Sequence, residues 1–312
     1  MREVMSVVYS RLAVPALSFS VHRHPFHRRL CFRHPLTPLL RINHFTAVAN
    51  QRAEATALSP EHSAQTATPV SDDSSFPILQ PLSSQQKEQI SLYIRTLLEW
   101  NQRMNLTAVM EENEVMTRHV EDSLAILPPL RRSYMSHCQS STFDVLNVVD
   151  VGSGAGLPGL ILAIAYPSWK ITLLESMKKR CLFLEHIVSQ TGLSNVQILC
   201  ERAENVGQCI GFRELYDVAV ARAVAEMRIL AEYCLPLVRV GGLFVAAKGS
   251  DPREEVKSAE NAIRLMGASI VELCTVESHS PRGQRTAVIC RKDHATPKKY
   301  PRHPGIPTKM PL

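Results

Sequence analysis

The sequence predicts an α/β fold with a mostly parallel sheet. Short apolar strands alternate with helices from Phe143 to about residue 266, and the last two predicted strands follow each other without a helix between them. A glycine-rich turn, "VVDVGSGAGLPG" (148–159), joins the first strand of this series to its first helix. The alternation indicates a sheet covered by helices on both faces with right-handed crossovers, and the final pair indicates one antiparallel edge.

A small helical segment is predicted before the sheet, within residues 81–130. Ser83 and Gln86 have the spacing of a capping box ahead of an apolar series with helical periodicity at 90–98. A second helix is predicted from about Glu111 to Leu127, where the two prolines at 128 and 129 end it.

The sheet domain is predicted over residues 143–293. In chain order its strands are "VLNVVDV", "KITLLE", "VQILC", "YDVAVA", "GLFVAAKG", "SIVELCTV" and "QRTAVICRK". The helices between them are "PGLILAIAY", "KKRCLFLEHIVSQTG", which Gly192 ends, "EMRILAEYCLPLV", and one from about Pro252 to Met266. Short apolar strands thus alternate with helices along the domain.

Residues 1–75 differ in composition from the rest. The first 50 contain seven arginines, five histidines, no lysine and one acid, Glu3, and a passage rich in Ser, Thr, Ala and Pro follows. This composition is typical of an organelle transit peptide, and the long hydroxyl-rich passage favours the chloroplast, with the mitochondrion as the alternative. A secretory signal with its apolar core at 12–21 is a rival that the cysteine usage disfavours. We expect residues 1–75 to be cleaved or disordered.

Composition also bears on membranes and metals. Eight cysteines are scattered without a Cys-x-x-Cys pair or a histidine at zinc spacing, so we expect reduced, mostly buried thiols and no metal site. The apolar run that begins at Gly159 stops at Pro167, far short of the roughly 20 residues that a membrane-spanning helix requires. We therefore expect no membrane association, and we expect a monomer.

The glycine-rich turn predicts a ligand site at the carboxyl edge of the sheet. Gly152, Gly154 and Gly156 follow a strand and open a helix, so the backbone can approach a ligand there. The dinucleotide fingerprint requires glycine at the position of Leu157, which weakens an NAD interpretation. A tight strand-to-helix turn without a ligand is the plain alternative.

Two acids favour a ligand over that plain turn. Asp150 lies inside the motif and Glu175 ends the next strand. They suit a ligand with an amino acid part and a ribose better than a pyrophosphate, because a carboxylate can accept hydrogen bonds from both ribose hydroxyls. The pattern predicts a nucleoside cofactor.

The motif resembles motif I of class I S-adenosylmethionine (SAM) methyltransferases. Its Gly-Leu-Pro-Gly ending resembles one family in particular, the small-subunit ribosomal RNA guanine-N7 methyltransferases, RsmG, also called GidB. The resemblance runs from about residue 81 to the C-terminus and includes, in order, "EWNQRMNLTAV", "TRHVEDSL", "LLESMKKRCLFLE", "ERAE", "ARAVAEM", "AAKG" and "TPKKYPRHPG". Together with the transit-like extension it is similar to an organellar plant member.

The resemblance implies SAM as cofactor and assigns residues to it. Gly152 and Leu157 match the positions that contact SAM at the glycine loop, and Glu175 matches the ribose-binding acid, which is often Asp in the family. Ala203 and Glu204, in "ERAE", match the segment that flanks the adenine.

The resemblance also suggests residues on the substrate side. Arg222 matches an arginine beside the cofactor and the target base, although a surface ion pair is its plain alternative. Arg118 and His119 are either substrate contacts or structural, with Asp122 as the expected partner of the histidine. Lys248 is either a phosphate contact or a solvated charge. All four are candidates for the catalytic set.

The implied reaction requires no general base. Guanine N7 carries a lone pair and no proton, and the methyl group of a sulfonium is already activated. In-line alignment supplies most of the acceleration, roughly 7 to 11 kcal/mol of barrier. The chain accordingly lacks the Asn-Pro-Pro-Tyr or Asp-Pro-Pro-Tyr element used for exocyclic amines, and it lacks the Pro-Cys nucleophile used for pyrimidine C5.

The expected partner is small-subunit ribosomal RNA or a ribosomal particle. Residues 294–312 form a basic, proline-rich segment that predicts a solvated tail, and such a tail also supplies phosphate attraction. Two rivals remain open: a small-molecule SAM methyltransferase, and a non-catalytic SAM-binding ribosome assembly factor.

Overall fold

The computed structural model describes residues 82–138, 142–276, 278 and 284–312. The predicted transit peptide at 1–75 lies outside these residues. Within the described part of the chain, every helix is too short or too polar to span a bilayer. The seven cysteines there are free thiols, of which four are buried.

Helix α1, Ser84–Asn101, begins with the predicted capping box. The Ser83 hydroxyl accepts a hydrogen bond from the Gln86 amide at 3.2 Å, and the Gln86 side chain accepts one from the Ser83 amide at 2.8 Å. Because both N-terminal amides are satisfied, the helix starts where the sequence predicts.

The second predicted helix is divided into several pieces. It consists of α2 (Glu112–Val115), a π-helical turn (Met116–Glu121) and α3 (Asp122–Leu124). We expected the prolines at 128 and 129 to end the second helix. Instead, they lie in the first turn of a further helix, α4 (Leu127–His137). Proline is tolerated there because first-turn amides have no partner within the helix.

All seven predicted strands are present in one sheet. They are β1 (Asn147–Val151), β2 (Lys170–Glu175), β3 (Val196–Cys200), β4 (Tyr216–Arg222), β5 (Val238–Lys248), β6 (Ala268–Val276) and β7 (Arg285–Lys292). Their spatial order is β3-β2-β1-β4-β5-β7-β6. The first five strands pair in parallel, whereas β7 pairs antiparallel with both β5 and β6. The predicted α/β class and its antiparallel edge are confirmed.

Helices cover both faces of the sheet. They are α5 (Gly159–Ala165), α6 (Lys178–Thr191), α7 (Ala203–Gln208), α8 (Met227–Cys234), α9 (Arg253–Leu265) and α10 (Ile306–Lys309). Successive strand residues face opposite cores, as the pleat requires: Val148 belongs to the core that includes residues of α1, α4, α5 and α6, and Val149 belongs to the core that includes residues of α7, α8 and α9. The carboxyl ends of β1 to β5 therefore share one edge.

The C-terminal segment is not the solvated tail that its composition predicts. Tyr300 is 6% exposed, and the Arg302 guanidinium makes an ion pair with the fully buried Glu232 of α8 at 2.7 Å. The segment ends in the short helix α10. Long-range partners that composition cannot reveal hold these residues in place.

Candidate active site

The glycine loop between β1 and α5 has the backbone that its residues allow. Gly152, Gly154 and Gly156 all have positive φ, of +73°, +59° and +87°. A Cβ on Gly152 would lie 2.7 Å from Cγ2 of Val224, whereas a Cβ on Gly154 would meet nothing closer than 3.9 Å. Val224, in the chain after β4, thus packs against the loop at Gly152, whereas there is free space beside Gly154.

Asp150 lies beneath this loop and is fully buried. Its Oδ2 accepts hydrogen bonds from the Ser153 hydroxyl and from the Gly159 amide, while Oδ1 has no partner among the described residues. Burial raises the pKa of Asp150 to about 6. The side chain ties the two ends of the loop together and is not among the lining residues of the two cavities described below.

Glu175, at the end of β2, is 3% exposed. Its Oε2 accepts a hydrogen bond from the Gly154 amide at 2.9 Å, and its Oε1 accepts one from the Met177 amide at 2.7 Å. Each carboxylate oxygen has a second lone pair, so each can still accept a bond from a hydroxyl. The glycine loop and the acid therefore form one unit, as their sequence positions suggest.

A smaller cavity opens at the ends of β1, β2 and β3. Three predicted cofactor residues, Gly152, Ala203 and Glu204, line it. Residues that the sequence analysis did not single out complete the wall: Val151, Leu174, Ser176, Glu201, Arg202, Val224 and Tyr233.

Glu204 is occupied by protein partners. Its Oε1 accepts hydrogen bonds from Nη2 of Arg202 at 2.8 Å and from the Gly305 amide at 2.9 Å. Its side chain is therefore fixed, and the backbone of this segment is what remains for a ligand.

A larger cavity, of about 260 Å³, lies beside the first at the ends of β4 and β5. All four predicted catalytic residues line it, namely Arg118, His119, Arg222 and Lys248. The remaining lining residues are Asp122, Ile126, Ala223, Ala247, Gly249, Val276 and Arg285. Four cationic side chains and one acid surround this space, so its surroundings favour an anionic or electron-rich ligand.

One short loop separates the two cavities. Arg222 and Ala223 line the larger cavity, and Val224, the next residue along the chain, lines the smaller one. Ala223 has a positive φ of 55°, a strained conformation for a residue with a Cβ. The loop after β4 is thus held in a turn between two adjoining binding spaces.

Arg222 is a largely buried cation. Its Nη1 donates a hydrogen bond to the carbonyl oxygen of Arg118 at 3.3 Å, and none of the described carboxylates lies within ion-pair distance of it. Burial lowers its pKa. Arg222 therefore does not form the surface ion pair that the sequence analysis gave as the alternative to a functional role.

His119 is neutral and held by Thr107, not by Asp122 as we expected. Its Nδ1 lies 3.0 Å from the Arg118 carbonyl oxygen and its Nε2 lies 2.7 Å from the Thr107 hydroxyl. A carbonyl oxygen only accepts, so Nδ1 carries the proton and Nε2 accepts from the hydroxyl. Burial, with the charge of Arg222 as the second cause, lowers the pKa of His119 to about 4.

Asp122 has other partners. Its Oδ1 accepts a hydrogen bond from Ser278, and its Oδ2 accepts one from Nε of Arg285 at 2.9 Å. Arg285 begins β7 and was not singled out from the sequence. A basic residue at the start of an edge strand gives no pattern that points to the site.

Arg118 and Lys248 differ in how much of their charge is engaged. Nη1 of Arg118 lies 3.5 Å from Oε2 of Glu114, but its Nε is buried without a hydrogen-bond partner among the described residues. Lys248 donates to the Ala225 carbonyl oxygen at 2.8 Å and pairs with Glu255 at 2.6 Å. The charge of Arg118 is therefore only loosely paired, whereas Lys248 primarily fastens the loop after β4 to α9.

Tyr93 of α1 is a further residue that the sequence analysis missed. It is fully buried, and its hydroxyl donates a hydrogen bond to the carbonyl oxygen of Ala155 in the glycine loop at 3.0 Å. The helical segment thus supports the loop directly. Tyr93 belongs to an ordinary apolar helix face, so no sequence signal distinguishes it.

The comparisons with known proteins agree with this architecture. The family model "GidB: rRNA small subunit methyltransferase G" matches residues 86–285. A ribosomal RNA small subunit methyltransferase G of Bacillus cereus (strain AH187) is 41% identical over 232 residues, which are 74% of this chain and 93% of that protein. One of Bacillus thuringiensis (strain Al Hakam) is 41% identical over 231 residues, covering 74% and 92%.

Solved structures resemble the chain more distantly. A fibrillarin pre-rRNA processing protein of Methanococcus jannaschii has a TM-score of 0.39 at 16% identity and covers 48% of this chain and 68% of its own. The family match and the curated relatives carry the assignment: the chain belongs to the GidB family, the rRNA small subunit methyltransferase G family.

Proposed function

We propose that this protein transfers a methyl group from SAM to N7 of a guanine in small-subunit ribosomal RNA. The observation that carries the proposal is the pair of adjoining cavities at one sheet edge, divided by residues 222–224, in a chain of this family. The smaller cavity is assigned to the cofactor and the larger one to the base. The curated relatives are named for methylation of small-subunit rRNA.

The residues of the smaller cavity, together with the adjoining glycine loop and Glu175, fit SAM. Gly154 leaves open space where a side chain would stand, and Glu175 has acceptor capacity at both oxygens beside it. Gly152 and Ala203 present backbone to the cavity, which suits the edge of an adenine. When bound, SAM supplies an activated methyl group.

The residues of the larger cavity suit a guanine attached to a phosphate backbone. Guanine presents O6 and N7 as neighbouring acceptors, and Arg118 and Arg222 both lie at this cavity with guanidinium donors. A cationic wall also compensates the negative charge of RNA phosphates. This environment favours a nucleic acid over an uncharged small molecule.

The mechanism that we propose uses orientation and not proton transfer. N7 has no proton to remove, so the chain has to hold the base in line and exclude water. His119 agrees with this role because its lowered pKa, about 4, keeps the imidazole neutral near pH 7. Arg222 is placed to orient the base from the loop between the cavities.

Mapping N7-methylguanine tests the proposal in the cell. Small-subunit RNA is compared between cells with and without the protein, and the same RNA is incubated in vitro with the purified protein and methyl-labelled SAM. We expect a 7-methylguanosine that disappears without the protein. Label in another nucleoside, or SAM binding without any transfer to RNA, would contradict the proposed activity and favour an assembly factor.

We further propose that the protein is an organellar plant member of the family, imported into the chloroplast. The support is the arginine-rich, acid-poor composition of residues 1–50 and the hydroxyl-rich passage after them. A fluorescent protein fused to residues 1–80 is expected to accumulate in chloroplasts. Accumulation in mitochondria would show that the protein is imported into that organelle and not into the chloroplast. A cytosolic or secreted fusion would refute import into either organelle.

A further inference from the structure

Residues 296–312, here named the C-terminal strap, cross α7 and α8 on one face of the sheet. The Arg302 amide and guanidinium donate to both carboxylate oxygens of Glu232 at 2.7 to 3.1 Å. The Gln208 side chain donates to the Pro301 carbonyl oxygen at 2.7 Å. A Cβ on Gly207 would lie 2.8 Å from Cγ of Pro301, so the strap and α7 are in close contact.

Two contacts connect the strap to the wall of the smaller cavity. The Gly305 amide donates to Oε1 of Glu204 at 2.9 Å, and the Thr308 hydroxyl lies 3.0 Å from the Tyr233 hydroxyl. Both Glu204 and Tyr233 line that cavity. The strap therefore stands directly behind two side chains of the cavity wall.

The side chains in this wall depend on their partners for a fixed position. Glu204 is 2% exposed, and a buried carboxylate that loses a hydrogen bond has no water to replace it. Tyr233 is 8% exposed, and its hydroxyl is positioned by Thr308. Loss of the Gly305 contact would leave Glu204 with Arg202 as its remaining partner, and loss of Thr308 would take a hydrogen-bond partner from the Tyr233 hydroxyl.

We propose that the C-terminal strap positions the adenine-side wall of the cofactor cavity, with Gly305 and Thr308 as positioning residues. The inference rests on the proposed function, because it takes the smaller cavity as the cofactor site. The strap then acts on cofactor affinity, a role separate from the phosphate attraction expected of Lys298 and Lys299.

Binding of two adenine-containing probes tests the proposal. The probes are S-adenosylhomocysteine and 5′-methylthioadenosine, which lacks the amino acid part. Thr308→Val removes one hydroxyl of the strap, and we expect it to weaken both probes equally, by about 3- to 10-fold, as loss of one hydrogen bond predicts. Tyr233→Phe removes the other hydroxyl of the same hydrogen bond. The double variant, Thr308→Val with Tyr233→Phe, should therefore bind the probes no more weakly than whichever single variant binds them less tightly. Lys309→Ala, at an exposed neighbour on α10, is the matched control.

Each outcome decides between separate claims. Wild-type affinity in Thr308→Val, or a loss confined to S-adenosylhomocysteine, would overturn the role of the strap while leaving the proposed function intact. A wild-type protein that binds neither probe would contradict the proposed function and this inference with it. A variant truncated after Pro304 should lose more affinity than Thr308→Val, and its thermal unfolding shows whether that loss comes from unfolding.

Discussion

Nη2 of Arg222 lies 3.5 Å from Nδ1 of His119, where the loop after β4 meets the π-helical turn. Because the protonated Nδ1 and the guanidinium are both donors, this contact is not a satisfied hydrogen bond. The arrangement keeps a neutral imidazole beside a buried cation, and it leaves the cation available to a ligand in the larger cavity.

Replacement of Arg222 should separate activity from stability. Arg222→Met removes a largely buried charge that makes no ion pair with a described carboxylate and whose pKa burial lowers, so the free energy of unfolding should not fall. Turnover at saturating RNA and SAM should fall by about 100-fold or more, as for loss of an orienting electrostatic donor. Thermal unfolding and kcat are measured on the same samples.

Arg239→Met provides the control for this prediction. Nε of Arg239 pairs with Asp217 at 2.7 Å, away from both cavities, so its loss should lower stability and leave kcat unchanged. An Arg222→Met protein that retains wild-type turnover would exclude Arg222 from the reaction.

His119 should make the protein less stable as the pH falls. Burial lowers its pKa from 6.5 to about 4, so between these values the unfolded chain binds a proton that the folded chain does not. The free energy of unfolding therefore has its full value, as far as His119 is concerned, above pH 6.5. It decreases as the pH falls toward 4, by up to about 1.4 kcal/mol per pH unit. Denaturant unfolding of wild type and His119→Gln from pH 4 to 7 measures the difference between their free energies of unfolding. The other titrating groups are the same in both proteins, so their contributions cancel in this difference.

The exposed His137 supplies the matched variant, His137→Gln. Equal pH slopes in wild type and His119→Gln would show that the buried imidazole is protonated in the folded protein.

Gly154→Ala should impair cofactor binding beyond its effect on the backbone. Gly154 has φ +59° and donates its amide to Glu175, so a strained Cβ at this position disturbs the acid. Gly192 ends α6 with φ +65° and open space around it, so Gly192→Ala carries the same strain away from the site. Each should lose about 1 to 2 kcal/mol of stability. Calorimetry should show that the affinity for S-adenosylhomocysteine falls at least tenfold in Gly154→Ala and not in Gly192→Ala. Equal affinities of the two variants would show that the loop is not part of the cofactor site.

The basic residues of the C-terminal strap should divide into two groups. Lys298 and Lys299 are exposed, so Lys298→Ala with Lys299→Ala should weaken RNA binding and flatten the slope of log affinity against log salt by about 0.7 per lost contact. Arg302→Ala leaves the buried Glu232 unpaired and should destabilise the fold by about 3 to 5 kcal/mol. An unaltered salt slope in the double lysine variant would remove these lysines from the RNA surface.

The sheet could be predicted because its signals are local. The strand Lys170–Glu175 and the helix that Gly192 ends have the bounds that hydrophobic pattern and turn chemistry indicate. The short helix α7 was missed, since its six residues carry no full period of apolar positions. Helix α4 was missed because proline in a first turn resembles a helix end.

Position along the chain predicted site residues at strand ends, whereas Arg118 and His119 were indicated by the family resemblance. Arg222 and Glu175 were indicated by their positions at strand ends. Arg285 and Tyr233 reach the cavities through tertiary contacts that no spacing along the chain encodes. The partner of Arg302, Glu232, is 70 residues away in sequence, so composition alone suggested a solvated tail.

Transfer of label to RNA that lacks N7 tests the central claim most directly. Small-subunit RNA is transcribed either with guanosine or with 7-deazaguanosine, which has a carbon in place of N7 and keeps the Watson–Crick edge. Both RNAs are incubated with the protein and methyl-labelled SAM. We expect labelled 7-methylguanosine from the first RNA and no label in the second, because only N7 offers the lone pair that the reaction requires. Equal labelling of both RNAs would contradict methylation at N7.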